Sequence, residues 1–294
     1  MQPVSLSLPY QAPYHWDAIL RFLAARSIPG VEVVSDGRYL RTVAIDGSAG
    51  VIAVAPGAAD SLTLRLYGFD SVPSARAHAQ ERVRQIFDLD ADPHAIARHF
   101  ARDPALAPLV SARPGLRVPG AWDGFEIAIR GILGQQITVS AGIRLAARLV
   151  QLHGASVPMA AAIEPSLTHL FPSPAQLAGG DLSSLGMPGA RRAALTALAT
   201  RAAADPELFA RGASLHLSVS KLRALPGIGE WTAQYIAMRA LREADAFLAA
   251  DVGLHRALTR PDGTRPTPKE MLAMATAWSP YRAYAALHLW TSLG

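Results

Sequence analysis

The pattern of apolar and polar residues changes partway along this chain. In the first part, short apolar or alternating runs are separated by the turn sequences DG, DGSAG and PGAAD. Glycine-containing turns between such runs are typical of antiparallel strands, so residues 31–69 are predicted to form an antiparallel meander. Amphipathic helical patterns lie on either side of it, at 14–26 and 73–89. Residues 1–112 are therefore predicted to form an α+β domain, an antiparallel sheet with helices.

The rest of the chain shows apolar residues at three- and four-residue spacing, which is the pattern of helices that bury one face. Short connectors that contain glycine or proline separate these segments, as in a compact helical bundle. The stretch 102–120 is rich in proline and glycine and marks the change from one pattern to the other. Residues 113–294 are therefore predicted to form an all-helical domain.

The composition excludes several classes of protein. Half of the 294 residues are hydrophobic and 17% are charged, which favours a folded globular chain over a disordered one. No apolar run approaches the roughly 20 residues that cross a bilayer, and no signal-peptide pattern is found at the N-terminus. The absence of cysteine excludes disulfides, thiol catalysis, iron–sulfur clusters and cysteine-bound zinc. The expected location is the cytoplasm, at the nucleoid if the source is bacterial.

Charge is distributed unevenly between the two predicted domains. Residues 1–112 carry 10 basic and 11 acidic side chains, whereas residues 113–294 carry 18 basic and 12 acidic ones. A sequence pI near 9.9 reflects this excess of basic residues in the second domain. Such a basic domain favours a polyanionic partner, for example nucleic acid.

A sharp turn between two helical segments carries the first functional signal. The residues Pro226, Gly227, Ile228 and Gly229 separate the helical patterns SKLRAL and EWTAQYIAMRAL. Glycines on both sides of an isoleucine let the backbone turn tightly while the isoleucine anchors the turn in the core. The free amides at the start of the second helix would then face outward, where they can bind a DNA phosphate. On its own the motif also fits a plain turn, so both interpretations stay open here.

An aspartate follows this motif and precedes a further helical pattern. Asp251 lies 22 residues after Gly229, at a position where it could cap the next helix. A helix–hairpin–helix followed at this spacing by an aspartate, and then by Arg256, resembles the helix–hairpin–helix superfamily of DNA glycosylases. Within it, the chain is similar to the DNA-3-methyladenine glycosylase II branch. The resemblance extends over essentially the whole chain and includes the phrases YQAPYHWDAILRFLAAR, FEIAIRGILGQQITV, LGMPGARRAAL and SPYRAYAALHLW.

The resemblance implies a catalytic residue and a base-binding pocket. Asp251 would be the catalytic carboxylate, which stabilises the oxocarbenium charge that develops on the deoxyribose or activates the attacking water. The aromatic walls of the pocket would be Trp231, Tyr235, Trp290 and Phe22. An electron-rich cleft attracts cationic alkylated bases by stacking and by cation–π interaction. The alternative interpretation makes Asp251 a helix cap and the aromatic residues ordinary parts of the core.

The resemblance also implies how the chain contacts DNA. The contacts would come from the hairpin at 226–229, from Gln135 and Gln136, and from Arg256. A side chain must fill the gap that a flipped base leaves in the duplex. The family supplies it from the loop after the GILGQ phrase, where Gln136 is the matching residue and Ile137 is a rival.

The resemblance implies a monovalent cation at the hairpin as well. It would be held by backbone carbonyl groups near Leu225 and Gly227. The nine histidines show no paired spacing that is typical of zinc sites. No catalytic metal and no cofactor are therefore expected.

The lysine positions predict the type of reaction. Glycosylases with lyase activity use a lysine on the second helix of the hairpin, and this chain has Trp231 there. Its lysines are Lys221 and Lys269, so water is the expected nucleophile. The resemblance implies a monomeric, monofunctional DNA glycosylase that removes 3-methyladenine and related alkylpurines from double-stranded DNA in base-excision repair. The alternatives are a non-catalytic helix–hairpin–helix DNA-binding protein, which Asp251 argues against, and a monofunctional glycosylase for deaminated purines.

Overall fold

The first part of the molecule contains one antiparallel sheet. The structure is a computed structural model, and it describes residues 2–293. The strands are β1 (Val4–Pro9), β2 (Glu32–Ser35), β3 (Arg38–Ile45), β4 (Ser48–Pro56) and β5 (Ser61–Tyr67). They are ordered β1-β5-β4-β3-β2 across the sheet, with every neighbouring pair antiparallel. This arrangement confirms the predicted meander, in which β2 to β5 follow one another along the chain.

The strand β1 was not predicted, although its sequence VSLSLP alternates between apolar and polar residues. It pairs with β5, and the register places Leu6 opposite Leu64 and Leu8 opposite Leu62. The alternation directs the leucines of β1 to one face of the sheet. Leu8 is completely buried there, so the first strand closes one side of the domain core.

Two helices cover the sheet, as the pattern of the first domain predicted. The first is α1 (Trp16–Ala24), and the second is α2 (Ala75–Phe87). On α1 the buried residues are Ile19, Leu20 and Leu23, which recur at helical spacing. They pack against the apolar face of the sheet in a single core.

The remainder of the described chain is helical, which confirms the predicted change of class. None of the helices within residues 2–293 has both the length and the apolar character needed to cross a lipid bilayer. In chain order the helices are α3 (Pro93–Phe100), α4 (Ala107–Ala112), α5 (Gly124–Leu133), α6 (Val139–His153), α7 (Pro174–Ala178), α8 (Gly189–Ala204), α9 (Leu215–Arg223), α10 (Glu230–Arg239), α11 (Val252–Ala257), α12 (Pro268–Ala275) and α13 (Arg282–Thr291).

The helices α3 and α4 lie before residue 113, yet their apolar side chains join the core of the helical part. Ile96 and Phe100 of α3 are buried there together with Val110 of α4. Asp92 caps α3, because its side chain accepts hydrogen bonds from the N–H groups of His94 and Ala95. The division of the chain at residue 112 stays a prediction.

A cluster of four charged residues joins the two parts of the molecule. Arg41 of β3 lies 2.8 Å from Glu126 of α5 and 3.3 Å from Glu32 of β2. Arg130 of α5 lies 2.6 Å from Glu126 and 2.7 Å from Glu32. Burial alone would raise the pKa of Glu126, but Arg41 and Arg130 outweigh burial and hold that pKa at about 2. We call these residues the interdomain charge cluster.

Candidate active site and DNA interface

The hairpin between α9 and α10 depends on one glycine. Gly227 has a φ of +77°, a left-handed conformation that residues with a Cβ rarely adopt. A Cβ at this position would also lie 2.6 Å from the Cβ of Ala194. Gly229 has a φ of −85°, and nothing lies within 4 Å of a Cβ built there. The expectation that both glycines are needed for the turn is therefore wrong for Gly229, whereas the buried Ile228 anchors the turn as predicted.

The start of α10 presents backbone N–H groups at the surface. Gly229 is its N-cap residue and has no side chain that could accept a hydrogen bond from the first turn of the helix. Pro226, Gly227 and Gly229 are all exposed. Arg223 of α9 pairs with Glu230 of α10 at 3.1 Å across this surface, so part of its charge is already compensated. The hairpin therefore offers an anion mainly through its backbone.

Asp251 is held by three donors from three parts of the helical domain. Its Oδ1 accepts hydrogen bonds from the backbone N–H of Leu254 at 3.0 Å and from Nε1 of Trp290 at 2.8 Å. Its Oδ2 accepts one from Nε1 of Trp231 at 3.0 Å. Asp251 does cap α11, as the alternative interpretation had it, and two indole groups orient the same carboxylate. Asp251 thus caps the helix and also presents a half-buried carboxylate in a fixed orientation.

Trp231 and Tyr235 form one aromatic wall on α10. Their ring centroids are 5.1 Å apart, and the ring planes differ by 11°. This arrangement follows from their spacing of four residues along the helix. Both rings line a cavity of about 150 Å³, which we call the Trp231 pocket. Its other lining residues come mainly from α5, α6 and the segment after α1, and they are Arg26, Ile28, Arg130, Gly131, Gly134, Ile137, Val139, Gly142, Ile143, Ala146 and Arg239.

The structure places the other two predicted aromatic walls differently. Trp290 of α13 is half-buried and contacts the Asp251 carboxylate, but it does not line the Trp231 pocket. Phe22 of α1 does not line it either. The Arg26 guanidinium lies 3.8 Å from the centroid of the Phe22 ring, and that of Arg239 lies 4.9 Å from it. The base-binding assignments of Trp290 and Phe22 stay predictions.

The loop between α5 and α6 lies next to the hairpin. Gln135 donates from Nε2 to the carbonyl oxygen of Gly227 at 2.8 Å, so its side chain supports the turn. Gln136 is exposed and has a φ of +60°, which directs it away from the regular helix path. Ile137 is 37% exposed and also lines the Trp231 pocket. Gln136 and Ile137 therefore both remain candidates for the residue that fills the gap in DNA. The third predicted DNA contact outside the hairpin, Arg256, is exposed on α11.

The predicted cation site stays a prediction. The carbonyl oxygen of Leu225 accepts a hydrogen bond from the Ile228 N–H, and that of Gly227 accepts one from Gln135. Each oxygen retains a second lone pair that could face a cation. Within residues 2–293, no group of three or more histidine, aspartate or glutamate side chains is arranged to hold a metal ion.

Arginines beside the pocket were missed by the sequence analysis. Arg239 donates from Nη1 to the Tyr235 hydroxyl at 2.6 Å. Burial would raise the pKa of Tyr235, but Arg239, Arg26 and Arg130 outweigh burial and lower it. Arg239 follows Tyr235 by four residues on one helix, and this spacing was a signal that could have found it. No local sequence pattern indicates that Arg26 and Arg130 lie beside Tyr235, because they come from other parts of the chain.

Comparison with known proteins agrees with this fold. Residues 5–123 match the family model of the AlkA N-terminal domain. The 3-methyladenine DNA glycosylase of Archaeoglobus fulgidus is a structural neighbour with a TM-score of 0.81, 21% sequence identity, and coverage of 97% of each chain. The architecture is thus that of a DNA-3-methyladenine glycosylase, with an antiparallel sheet domain in front of a helix–hairpin–helix domain.

Sequence relatives define the family more narrowly. The chain is 34% identical over 292 residues to DNA-3-methyladenine glycosylase 2 of Escherichia coli, covering 98% of this chain and 97% of the relative. The chain belongs to the DNA-3-methyladenine glycosylase 2 family. It is also 38% identical over 292 residues to the probable bifunctional transcriptional activator/DNA repair enzyme AlkA of Mycobacterium tuberculosis. That match covers 99% of this chain and 57% of the mycobacterial relative, so the chain spans little more than half of that protein.

Proposed function

We propose that the chain is a monofunctional DNA glycosylase that hydrolyses the N-glycosidic bond of alkylated purines flipped out of duplex DNA. The observation that carries the proposal is the Asp251 carboxylate. It is held by Trp231 and Trp290 at the end of an aromatic wall. A base stacked on that wall would bring its sugar toward the carboxylate.

The chemistry needs few protein groups. Cleavage of the glycosidic bond develops positive charge on the deoxyribose, and a fixed negative charge stabilises that transition state. Asp251 can supply this charge, because its three hydrogen-bond donors orient the carboxylate without neutralising it by an ion pair. An alkylated purine carries positive charge itself and leaves readily, so one carboxylate suffices. Water would be the nucleophile, since neither lysine lies at the Trp231 position on α10.

DNA would be bound through the hairpin. The uncapped N–H groups at the start of α10 can donate to a phosphate, and the contact is independent of base identity. Double-stranded DNA with an alkylated base is therefore the proposed partner. A monovalent cation at the Leu225 and Gly227 carbonyls, a monomeric state and a cytoplasmic location complete the proposal.

The proposal is tested by incubating the protein with methylated duplex DNA and separating the released bases by chromatography. We expect free 3-methyladenine and an unbroken abasic strand, because hydrolysis by water leaves the backbone intact. Borohydride added during turnover should trap no covalent protein–DNA adduct. Release of hypoxanthine from deoxyinosine-containing DNA without release of methylated purines would favour the deaminated-purine alternative. A protein that binds DNA and releases no base would be the non-catalytic alternative, and a trapped adduct would contradict the use of water.

Alanine substitutions of the two hairpin glycines should have different effects on stability. Gly227→Ala should lower the free energy of unfolding by about 1–2 kcal/mol or more, because the left-handed backbone disfavours a Cβ. Gly229→Ala should change it by less than about 0.5 kcal/mol, because its backbone is ordinary and the site is open. The Gly229 variant should nevertheless weaken binding to damaged and undamaged duplexes alike, since its Cβ stands where the backbone approaches phosphate.

Urea denaturation and fluorescence anisotropy with a labelled duplex measure these two quantities separately. Gly263→Ala is the matched control for a left-handed glycine outside the site, with a φ of +83°. It should cost stability without a specific loss of DNA affinity. Unchanged affinity in the Gly229 variant would argue against phosphate contact at the hairpin.

A further inference from the structure

Three arginines line the Trp231 pocket, and two of them donate several hydrogen bonds to the protein, although Nε of Arg239 has no partner within residues 2–293. Arg130 donates to Glu32, to Glu126 and to the carbonyl oxygen of Arg26. Arg239 donates to the Tyr235 hydroxyl and, at 2.8 Å, to the carbonyl oxygen of Gly120. These two guanidinium groups are therefore held in place by the protein and help to fix the walls of the pocket.

Arg26 is different from the other two. Within residues 2–293, its guanidinium pairs with no carboxylate at ion-pair distance, and it donates from Nη1 to the Phe22 carbonyl oxygen at 3.4 Å. That distance is longer than the usual 2.7–3.2 Å for a hydrogen bond of this type. The group is half-buried, and the Tyr235 hydroxyl, which accepts a hydrogen bond from Arg239, lies close enough to interact with the Arg26 guanidinium as well. Its planar face lies on the Phe22 ring, which fixes the orientation of the guanidinium.

The two ends of the aromatic wall have different polar neighbours. At one end Trp231 contacts the Asp251 carboxylate, and at the other end Tyr235 contacts Arg239. The two aromatic residues are four positions apart, a little over one helical turn, which is about 6 Å along the axis of α10. A purine stacked on this wall with its sugar at Asp251 therefore points the edge opposite its glycosidic bond toward the arginines. That edge is the one through which flipped bases are usually recognised.

We infer that Arg26 is a specificity-determining residue, whose guanidinium donates hydrogen bonds to a keto oxygen on the distal edge of the flipped purine. The inference rests on the proposed function, because it concerns the same pocket. A guanidinium has donors and no acceptor, so it matches a keto oxygen and is mismatched with an amino group. Purines with an oxygen at ring carbon 6 would gain this contact. 3-Methyladenine, which has an amino group there, would not.

A matched pair of bases isolates this contact. Duplexes with deoxyinosine or with deoxynebularine at the same position differ in the target base by the keto oxygen and the accompanying ring proton. In single-turnover reactions, we expect Arg26→Met to lower the ratio of hypoxanthine release to purine release by about tenfold, the loss typical of a hydrogen bond to a charged donor. Release of 3-methyladenine from methylated DNA should fall less than release of hypoxanthine in this variant, because its amino group gains no contact from Arg26. Arg26→Lys should restore part of the ratio, since it keeps a charged donor and loses the planar group.

Arg21→Met is the matched control, because Arg21 lies on α1 shortly before Arg26, is exposed and donates only to the carbonyl oxygen of Asp17 among residues 2–293. It should leave the ratio unchanged. An unchanged ratio in Arg26→Met, or an equal loss on all three bases, would overturn the inference. So would a wild-type protein that releases methylated purines and no hypoxanthine. Failure of the wild type to release any base would instead reject the proposed function itself.

Discussion

Replacement of Asp251 by asparagine should lower the single-turnover rate of 3-methyladenine release by about a thousandfold or more. Asparagine is as good a helix cap as aspartate, so α11 should keep its start. The variant loses the negative charge that faces the sugar. It also has a single acceptor oxygen, whereas Asp251 uses one oxygen for Trp231 and the other for Trp290 and Leu254. The loss should therefore affect the chemical step while the fold is kept.

The measurement is single-turnover base release with enzyme in excess, together with DNA binding by anisotropy. Affinity for the duplex should persist, because the hairpin that binds phosphate is unchanged. Asp262→Asn is the control, since Asp262 is exposed and its contacts are to Thr264 in the same turn. It should leave the release rate unaltered. Near-normal release by the Asp251 variant would remove Asp251 from the proposed mechanism.

Glu126→Gln should lower the free energy of unfolding by about 3 kcal/mol or more at neutral pH. Glu126 is fully buried and accepts charge-assisted hydrogen bonds from Arg41 and Arg130. Glutamine has nearly the same shape, yet it leaves two guanidinium groups beside the single charge of Glu32. A buried uncompensated charge is expensive, so the cost should far exceed that of an exposed ion pair.

The pH dependence of this effect follows from the depressed pKa of Glu126. The pKa is about 2 in the folded chain, compared with an ordinary value of 4.5. The carboxylate therefore stabilises the fold fully above pH 4.5, and that contribution is lost as the pH falls toward 2. Urea denaturation of the wild type and the variant should give curves that differ most near neutrality and converge in acid.

Glu81→Gln provides the matched control for the Glu126 variant. Glu81 is an exposed glutamate of α2 that contacts Gln85. Its replacement should change the free energy of unfolding by less than about 0.5 kcal/mol. Equal stability of the wild type and the Glu126 variant at neutral pH would show that the interdomain charge cluster contributes no net stability.

The sequence by itself determined the features that depend on neighbouring residues. Apolar spacing identified the meander, the helices and the change between them, because the periods of strands and helices are visible within a few residues. The hairpin was evident from Gly227 and Ile228, whose conformational freedom and apolar character act locally. The stacking of Trp231 on Tyr235 also followed from four-residue spacing on one helix.

The tertiary structure alone decided the contacts between distant segments. The pairing of β1 with β5, the interdomain charge cluster and the position of Arg26 on the pocket wall all join residues from separate elements. Arg41 and Glu126 lie 85 positions apart, so no local period relates them. The sequence also did not indicate that Gly229 has a backbone conformation that any residue can adopt. A repeating pattern shows which face of an element is buried, but the partner of that face depends on how the whole chain packs.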